Sequence, residues 1–218
     1  MILLINPKTS KSSEVSSKFF REPNSGLLYL AAILDLNDIS VDILDLELFR
    51  DLNELELSEV IKEKITGYRI FGITSLTNTF HISLEIAKVI KNQDRHNLVI
   101  LGGPHVSFMY KEMLEYDKTS ENLIDFICIG EGEILMDQLL AQIESGAKQW
   151  DNIPGLVYRT PDGFKENLPA VLNKEIEKLP FPARDLADIS IFKSHGQMRF
   201  GGLTASMITS GGCRWDCT

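Results

Sequence analysis

The chain has 218 residues, enough for one α/β domain with an appendage, and 44% hydrophobic content supplies a substantial core. A formal charge of -9 argues against general binding to nucleic acid or to an anionic membrane, and no apolar run is long enough to span a bilayer. Three cysteines, Cys128, Cys213 and Cys217, do not suggest a disulfide framework, so a reducing, cytoplasmic setting is expected.

Met1 to Ile5 is an apolar run ended by Asn6-Pro7. It lacks a positive leader and reads as a first strand, not a signal peptide. Lys8 to Asn24 follows as a long loop rich in Ser and Lys. Long loops in compact domains are often functional. Ser25-Gly26 opens an apolar helix over Leu27 to Leu34, and Val41 to Leu46 is a second strand. In Leu55 to Thr66, Leu57, Val60, Ile61 and Ile65 recur at helical spacing.

Arg69 to Ser75 is a third strand, running into the polar turn Leu76-Thr-Asn-Thr79, which is capable of capping a helix over His81 to Lys91. Leu98 to Leu101 is a fourth strand, driving into Gly102-Gly-Pro-His105 and a helix from about Val106 to Tyr116. Ile124 to Ile129 is a fifth, ending in Gly130-Glu-Gly-Glu133, with a helix over Ile134 to Glu144. This alternation predicts an α/β fold with a five-stranded, doubly wound parallel sheet and helices on both faces.

After Gly146 the pattern changes. Gly155 to Arg159 and Phe164 to Leu168 flank Thr160-Pro-Asp-Gly163, which predicts a β-hairpin. Glu177 to Pro182 is a linker stiffened by two prolines, and Ala205 to Thr209 reads as one more strand.

In an open parallel sheet, ligands bind just outside the carboxyl ends of the strands. Here three adjacent ends carry Ser75-Leu-Thr-Asn78, Gly102-Gly-Pro-His105 and Gly130-Glu-Gly-Glu133. Small hydroxyls, bare backbone and helix N-termini together form a cradle for a large planar or phosphate-bearing ligand. Any one of these loops is more simply an ordinary βα turn; all three side by side favour a ligand. His81 and His105 stand nearest this edge, and a lone histidine at a loop end is more often solvated or capping than ligating. Glu131 and Glu133 suit the helix dipole and hydrogen bonds to backbone or ligand hydroxyls better than acid/base work. Cys213 and Cys217 are spaced C-x-x-x-C, too few thiols for a metal site alone, and Cys128 reads as core.

Taken in order, these motifs resemble the N-terminal part of a cobalamin-dependent radical S-adenosylmethionine (SAM) enzyme. The segments that carry the resemblance are Gly26 to Ala32, Ile73 to Asn78, Leu101 to His105, Ile129 to Glu133, Leu179 to Asp185 and Thr209 to Cys217. The resemblance implies a flavodoxin-like (Rossmann-like) cobalamin-binding domain over residues 1–146, a hairpin and linker over 147–204, and the start of a radical SAM barrel over 205–218. The corrin would lie over the carboxyl edge of the sheet. Its binding residues would be Gly26 and Leu27, Ser75, Leu76, Thr77 and Asn78, Gly102, Gly103, Pro104 and His105, and Gly130, Glu131 and Gly132. Cys213 and Cys217 resemble the first two thiolates of a C-x-x-x-C-x-x-C motif, which holds a [4Fe–4S] cluster that binds SAM.

The third cysteine of that motif falls beyond Thr218, so the chain is expected to be a fragment that is catalytically incomplete alone, with its tail a candidate for self-association. The D-x-H-x-x-G motif that ligates cobalt in many cobalamin proteins is missing, and Lys8 to Gly26 holds no histidine. Two other functions stand beside cobalamin binding. One is a domain that keeps the fold, has lost cobalamin, and serves as a structural or partner-docking module. The other is a flavin or nucleotide domain, disfavoured because the first loop lacks a compact phosphate cradle and few aromatics sit at the strand ends.

Overall fold

The computed structural model describes residues 1–9, 23–119, 122–170, 173 and 175–188. The expected strand at Ala205 to Thr209 and both Cys213 and Cys217 lie outside the described residues, as does most of the first loop.

Seven strands and five α-helices follow one another along the described residues, alternating as far as α5: β1 (Ile2–Asn6), α1 (Ser25–Leu36), β2 (Val41–Asp45), α2 (Glu54–Lys64), β3 (Ile70–Thr74), α3 (Phe80–Gln93), β4 (Leu98–Gly102), α4 (Pro104–Thr119), β5 (Phe126–Cys128), α5 (Gly132–Ser145), β6 (Leu156–Thr160) and β7 (Gly163–Glu166). They build a sheet of order β2-β1-β3-β4-β5-β6-β7. The first five strands are parallel, as the alternation predicts, and their order 2-1-3-4-5 is that of the flavodoxin-like sheet the resemblance implies. The hairpin β6–β7 forms as expected, and β6 pairs antiparallel with β5, so it extends the sheet instead of standing apart.

Alternation along each strand divides the core in two. Leu3, Phe71, Val99 and Leu101 face α2, α3 and α4 through Leu57, Ile61, Ile86, Ile90 and Val106. Ile2, Leu4, Ile70, Ile100 and Cys128 face α1 and α5 through Leu27, Ala31, Leu34, Met136 and Leu139. Cys128 is a core residue as predicted.

Local chemistry sets the helix ends. Asn53 caps α2 by accepting from Leu55 and Glu56 N–H, both at 3.0 Å, while Glu56 accepts from Asn53 N–H at 2.9 Å. This reciprocal pair satisfies donors that the helix leaves open. Gly146 ends α5 in the left-handed region at φ 67°. Thr79 departs from expectation: it makes no side-chain cap to α3. Its Oγ1 instead accepts from Leu76 N–H at 3.0 Å, so the hydroxyl closes its own turn.

At the amino-terminal edge of the sheet, the Lys91 ammonium is buried on α3. It donates to Asp125 Oδ2 at 2.6 Å and to Asn97 O at 2.7 Å. Asp125 Oδ2 also accepts from Val99 N–H at 2.7 Å, which ties α3 to β4 and the approach to β5. Truncating one partner strands the other charge in a poorly solvated place. Lys91→Ala is expected to cost about 3 kcal/mol, near the lower end for buried pairs because Asp125 is partly exposed. Urea unfolding of the variant checks this.

Candidate functional site

The chain leaves β1 toward β2 on one side and β3 on the other, so a crevice opens at the carboxyl ends between them. A cavity of about 380 Å³ lies there, on the α1/α5 face of the sheet. Its floor is apolar: Leu4, Ile100 and Cys128 from the strands, Leu27 and Leu30 from α1, Met136 from α5.

Two glycines keep that floor open. Gly72 sits mid-strand in β3, where a Cβ would come within 2.8 Å of a Leu4 methyl and 3.6 Å of the Met136 methyl. A glycine inside a strand often marks such a close approach. Gly72 is not among the residues expected from sequence to hold a ligand; its place inside the apolar run Arg69 to Ser75 is the signal that marks it. Gly102 ends β4 on the same face, and a Cβ there would find only Cys128, at 3.7 Å or more.

Gly103 serves a different end. Its φ is +99°, and a Cβ would lie 2.8 Å from Ser75 N and O and 2.9 Å from Thr74 Oγ1. Here the β3 and β4 loops cross and clasp. Ser75 N–H donates to Gly102 O at 2.8 Å, and His105 N–H donates to Ser75 O at 3.2 Å. Gly103 lines the cavity, but its bare α-carbon is required by the crossing itself. Pro104 then occupies the first position of α4, where its missing N–H costs nothing.

Of the residues expected to hold a ligand, Gly26, Leu27, Leu76, Gly102, Gly103 and Pro104 line the cavity, as do Gly130, Glu131 and Gly132. Four do not. Ser75 is fully buried beneath the crossing. Thr77 and Asn78 are exposed on the turn beyond it. His105 turns toward that same turn: its Nδ1 lies 3.2 Å from Thr77 Oγ1, and its ring packs 4.6 Å from the Phe80 ring centroid. His81 is exposed at the start of α3.

Three positioning groups went unread in the sequence. Asn24 caps α1 by accepting from Leu27 N–H at 3.1 Å, and its amide donates to Asn6 Oδ1 at 3.1 Å. Asn6 in turn donates to Asp45 Oδ1 at 2.9 Å, so the end of the first loop is tied to β1 and β2. Ser107 links the other two loops: Gly130 N–H donates to its Oγ at 3.0 Å, and Oγ donates to Gly103 O at 3.1 Å. The linker also folds back, with Ala183 N–H donating to Leu28 O of α1 at 3.0 Å.

Both glutamates of the β5 loop reach the cavity. Glu131 precedes α5 without capping it, and its Oε2 accepts from Asn173 N–H at 2.9 Å. Burial pushes the Glu133 carboxyl above its usual range; a bond from its own N–H opposes this, and the neighbouring Glu131 adds to it. The folded protein therefore holds this proton more tightly than the unfolded chain. Its stabilising contribution is fully present below the ordinary carboxylate pKa of about 4.3 and is lost as pH rises through the raised value. Across that window Glu133→Gln should gain stability relative to the unsubstituted protein, read by urea unfolding at a series of pH values. A difference that does not change with pH would contradict it.

Among the described residues, no group of three or more His, Cys, Asp or Glu side chains is arranged to hold a metal ion. Nor is any helix long and apolar enough to cross a membrane.

Known proteins are similar to this chain in sequence and fold. An uncharacterized methyltransferase of Pyrococcus horikoshii, PH0819, is 30% identical over 195 residues, covering 89% of this chain and 39% of that protein. The anaerobic magnesium-protoporphyrin IX monomethyl ester cyclase of Rubrivivax gelatinosus is 28% identical over 174 residues, covering 78% of this chain and 29% of the cyclase. The chain thus spans well under half the length of these relatives. Among solved structures, the radical SAM methyltransferase TsrM from Kitasatospora setae, with cobalamin and a [4Fe–4S] cluster bound, superposes with a TM-score of 0.62 at 24% identity, covering 86% of this chain and 32% of TsrM. The cobalamin-dependent SAM radical enzyme OxsB, with aqua-cobalamin and SAM bound, gives a TM-score of 0.66 at 18% identity, covering 85% of this chain and 24% of OxsB. At these identities the likeness shows a shared fold. Residues 17–140, more than half of the chain, match the family model described as B12 binding domain, and the chain belongs to that family.

Proposed function

We propose that this chain is the cobalamin-holding domain of a longer radical SAM enzyme. The observation that carries this is the cavity between α1 and α5, kept open by Gly72 and Gly102. The residues present fit the group. The floor is apolar and suits a flat heteroaromatic base, and the rim offers Asn24, Thr74 and backbone for polar contacts. At about 380 Å³ the cavity has room for the nucleotide arm but not for the macrocycle, which would lie across the strand ends at its mouth.

When bound, cobalamin supplies a cobalt that carries a methyl group or assists another radical reaction. Gly26 and Leu27 would line the arm on the α1 side, Gly72 and Gly102 would admit it over β3 and β4, and Gly130 to Gly132 would line it on the α5 side. Leu76 and Pro104 would border the mouth. The crossing at Gly103 would hold Ser75 and His105 in register behind it, with Thr77 and Asn78 on the exposed turn toward the macrocycle. Cys213 and Cys217 are proposed as the first two thiolate ligands of a [4Fe–4S] cluster that binds SAM, in a barrel beginning near Ala205. A cytoplasmic location accords with that chemistry.

Hydroxocobalamin tests this directly. Purified chain is mixed with it, desalted, and its visible spectrum recorded. Retention of close to one corrin per chain is the expected result. No corrin band, under aerobic and anaerobic conditions alike, would favour a domain that keeps the fold for structure or docking.

A further inference from the structure

The carboxylates of Glu131 and Glu133 stand in the wall between the main cavity and a smaller one of about 140 Å³ beside α5. Glu131 is held in place by the Asn173 N–H, and Glu133 is half-buried next to it. The other end of the main cavity meets the start of α1, which has no acidic residue in its first turn. No Lys, Arg or His among the described residues lines the cavity. Both helices start at this cavity, but only α5 carries carboxylates there to offset the positive end of its dipole, so acceptors and negative charge gather at the α5 end while the α1 end keeps its bare positive helix terminus.

Ionised carboxylates only accept hydrogen bonds. They favour neutral N–H and O–H donors and repel a second anion brought into the same poorly solvated space. Cobalamin offers such donors as peripheral carboxamides on the corrin and as ribose hydroxyls, and its single phosphodiester charge can lie toward α1. Resting on the cobalamin assignment, we propose that Glu131 and Glu133 are specificity-determining residues, accepting from neutral donors of the ligand and rejecting corrinoids that carry a carboxylate at that edge.

The test compares hydroxocobalamin with its three monocarboxylates, each having one propionamide hydrolysed, and with dicyanocobinamide, which lacks the ribose. Each is titrated spectrophotometrically into the full chain, into Glu131→Gln, Glu133→Gln and the double Gln variant, and into Glu131→Ala and Glu133→Ala, with circular dichroism confirming the fold of each. At least one monocarboxylate should bind about tenfold more weakly than hydroxocobalamin, and the double variant should recover most of that loss. If a carboxamide is the donor, Glu131→Ala and Glu133→Ala weaken hydroxocobalamin and dicyanocobinamide alike; if the ribose is, they weaken hydroxocobalamin alone. Monocarboxylates that all bind within about twofold of hydroxocobalamin would overturn the inference while leaving the cobalamin assignment intact. So would a penalty unchanged in the double variant. Failure of hydroxocobalamin itself to bind would overturn both.

Discussion

Gly103→Val is expected to destabilise the domain by about 3–5 kcal/mol, a large share of the 5–15 kcal/mol typical of a domain. Two costs combine. The residue sits at φ +99°, where a side chain strains the backbone. Its Cβ would also meet Ser75 N and O at 2.8 Å, and these are backbone atoms that cannot swing aside. To make room, the β3 and β4 loops must part, breaking the Ser75–Gly102 and His105–Ser75 hydrogen bonds. Urea unfolding followed by circular dichroism should show a sharply lowered midpoint or no folded baseline. A stability within about 1 kcal/mol of the unsubstituted protein would contradict the crossing as the reason for this glycine.

Gly102→Val is expected to do the opposite, keeping the fold and losing the ligand. Gly102 is absent from the positive-φ positions, and a Cβ there meets Cys128 at an ordinary 3.7 Å. Valine at the end of a strand is well tolerated. Its methyls, however, enter the cavity over β4. Overfilling a packed space costs about 1–3 kcal/mol, so cobalamin should bind roughly 5- to 150-fold more weakly. The unfolding midpoint should stay near that of the unsubstituted chain. Unchanged affinity would mean that the ligand does not pass over this residue. Adjacent glycines thus separate fold from binding, a distinction that the sequence alone does not draw.

The five parallel strands were legible because each is a short apolar run closed by turn residues, and the helices between them repeat at helical spacing. The three loops at the carboxyl edge were legible for the same reason: glycine clusters mark strand ends. What stayed hidden depends on direction or on partners distant in sequence. In sequence Gly102-Gly103 is one bare patch, whereas the backbone points one α-carbon at the cavity and the other at Ser75. Ser75 reads in sequence as a ligand hydroxyl and lies buried under the crossing, because its backbone is what the neighbouring loop grips. Gly72 hid in an apolar strand, where only the facing Leu4 and Met136 give it meaning. Ser107 and Asn24 act across 23 and 18 residues of chain, respectively, and local pattern does not show such pairings. The hairpin was visible from Pro-Asp-Gly, but its antiparallel docking on β5 is a tertiary choice that its own residues do not encode.

The most direct measurement is the ratio of affinities for hydroxocobalamin and dicyanocobinamide, which differ chiefly in the nucleotide arm. With the arm seated between α1 and α5, cobalamin should bind at least about tenfold more tightly, and Gly102→Val should collapse most of that advantage. Equal affinities for the two corrinoids in the unsubstituted chain would contradict a cavity that holds the arm.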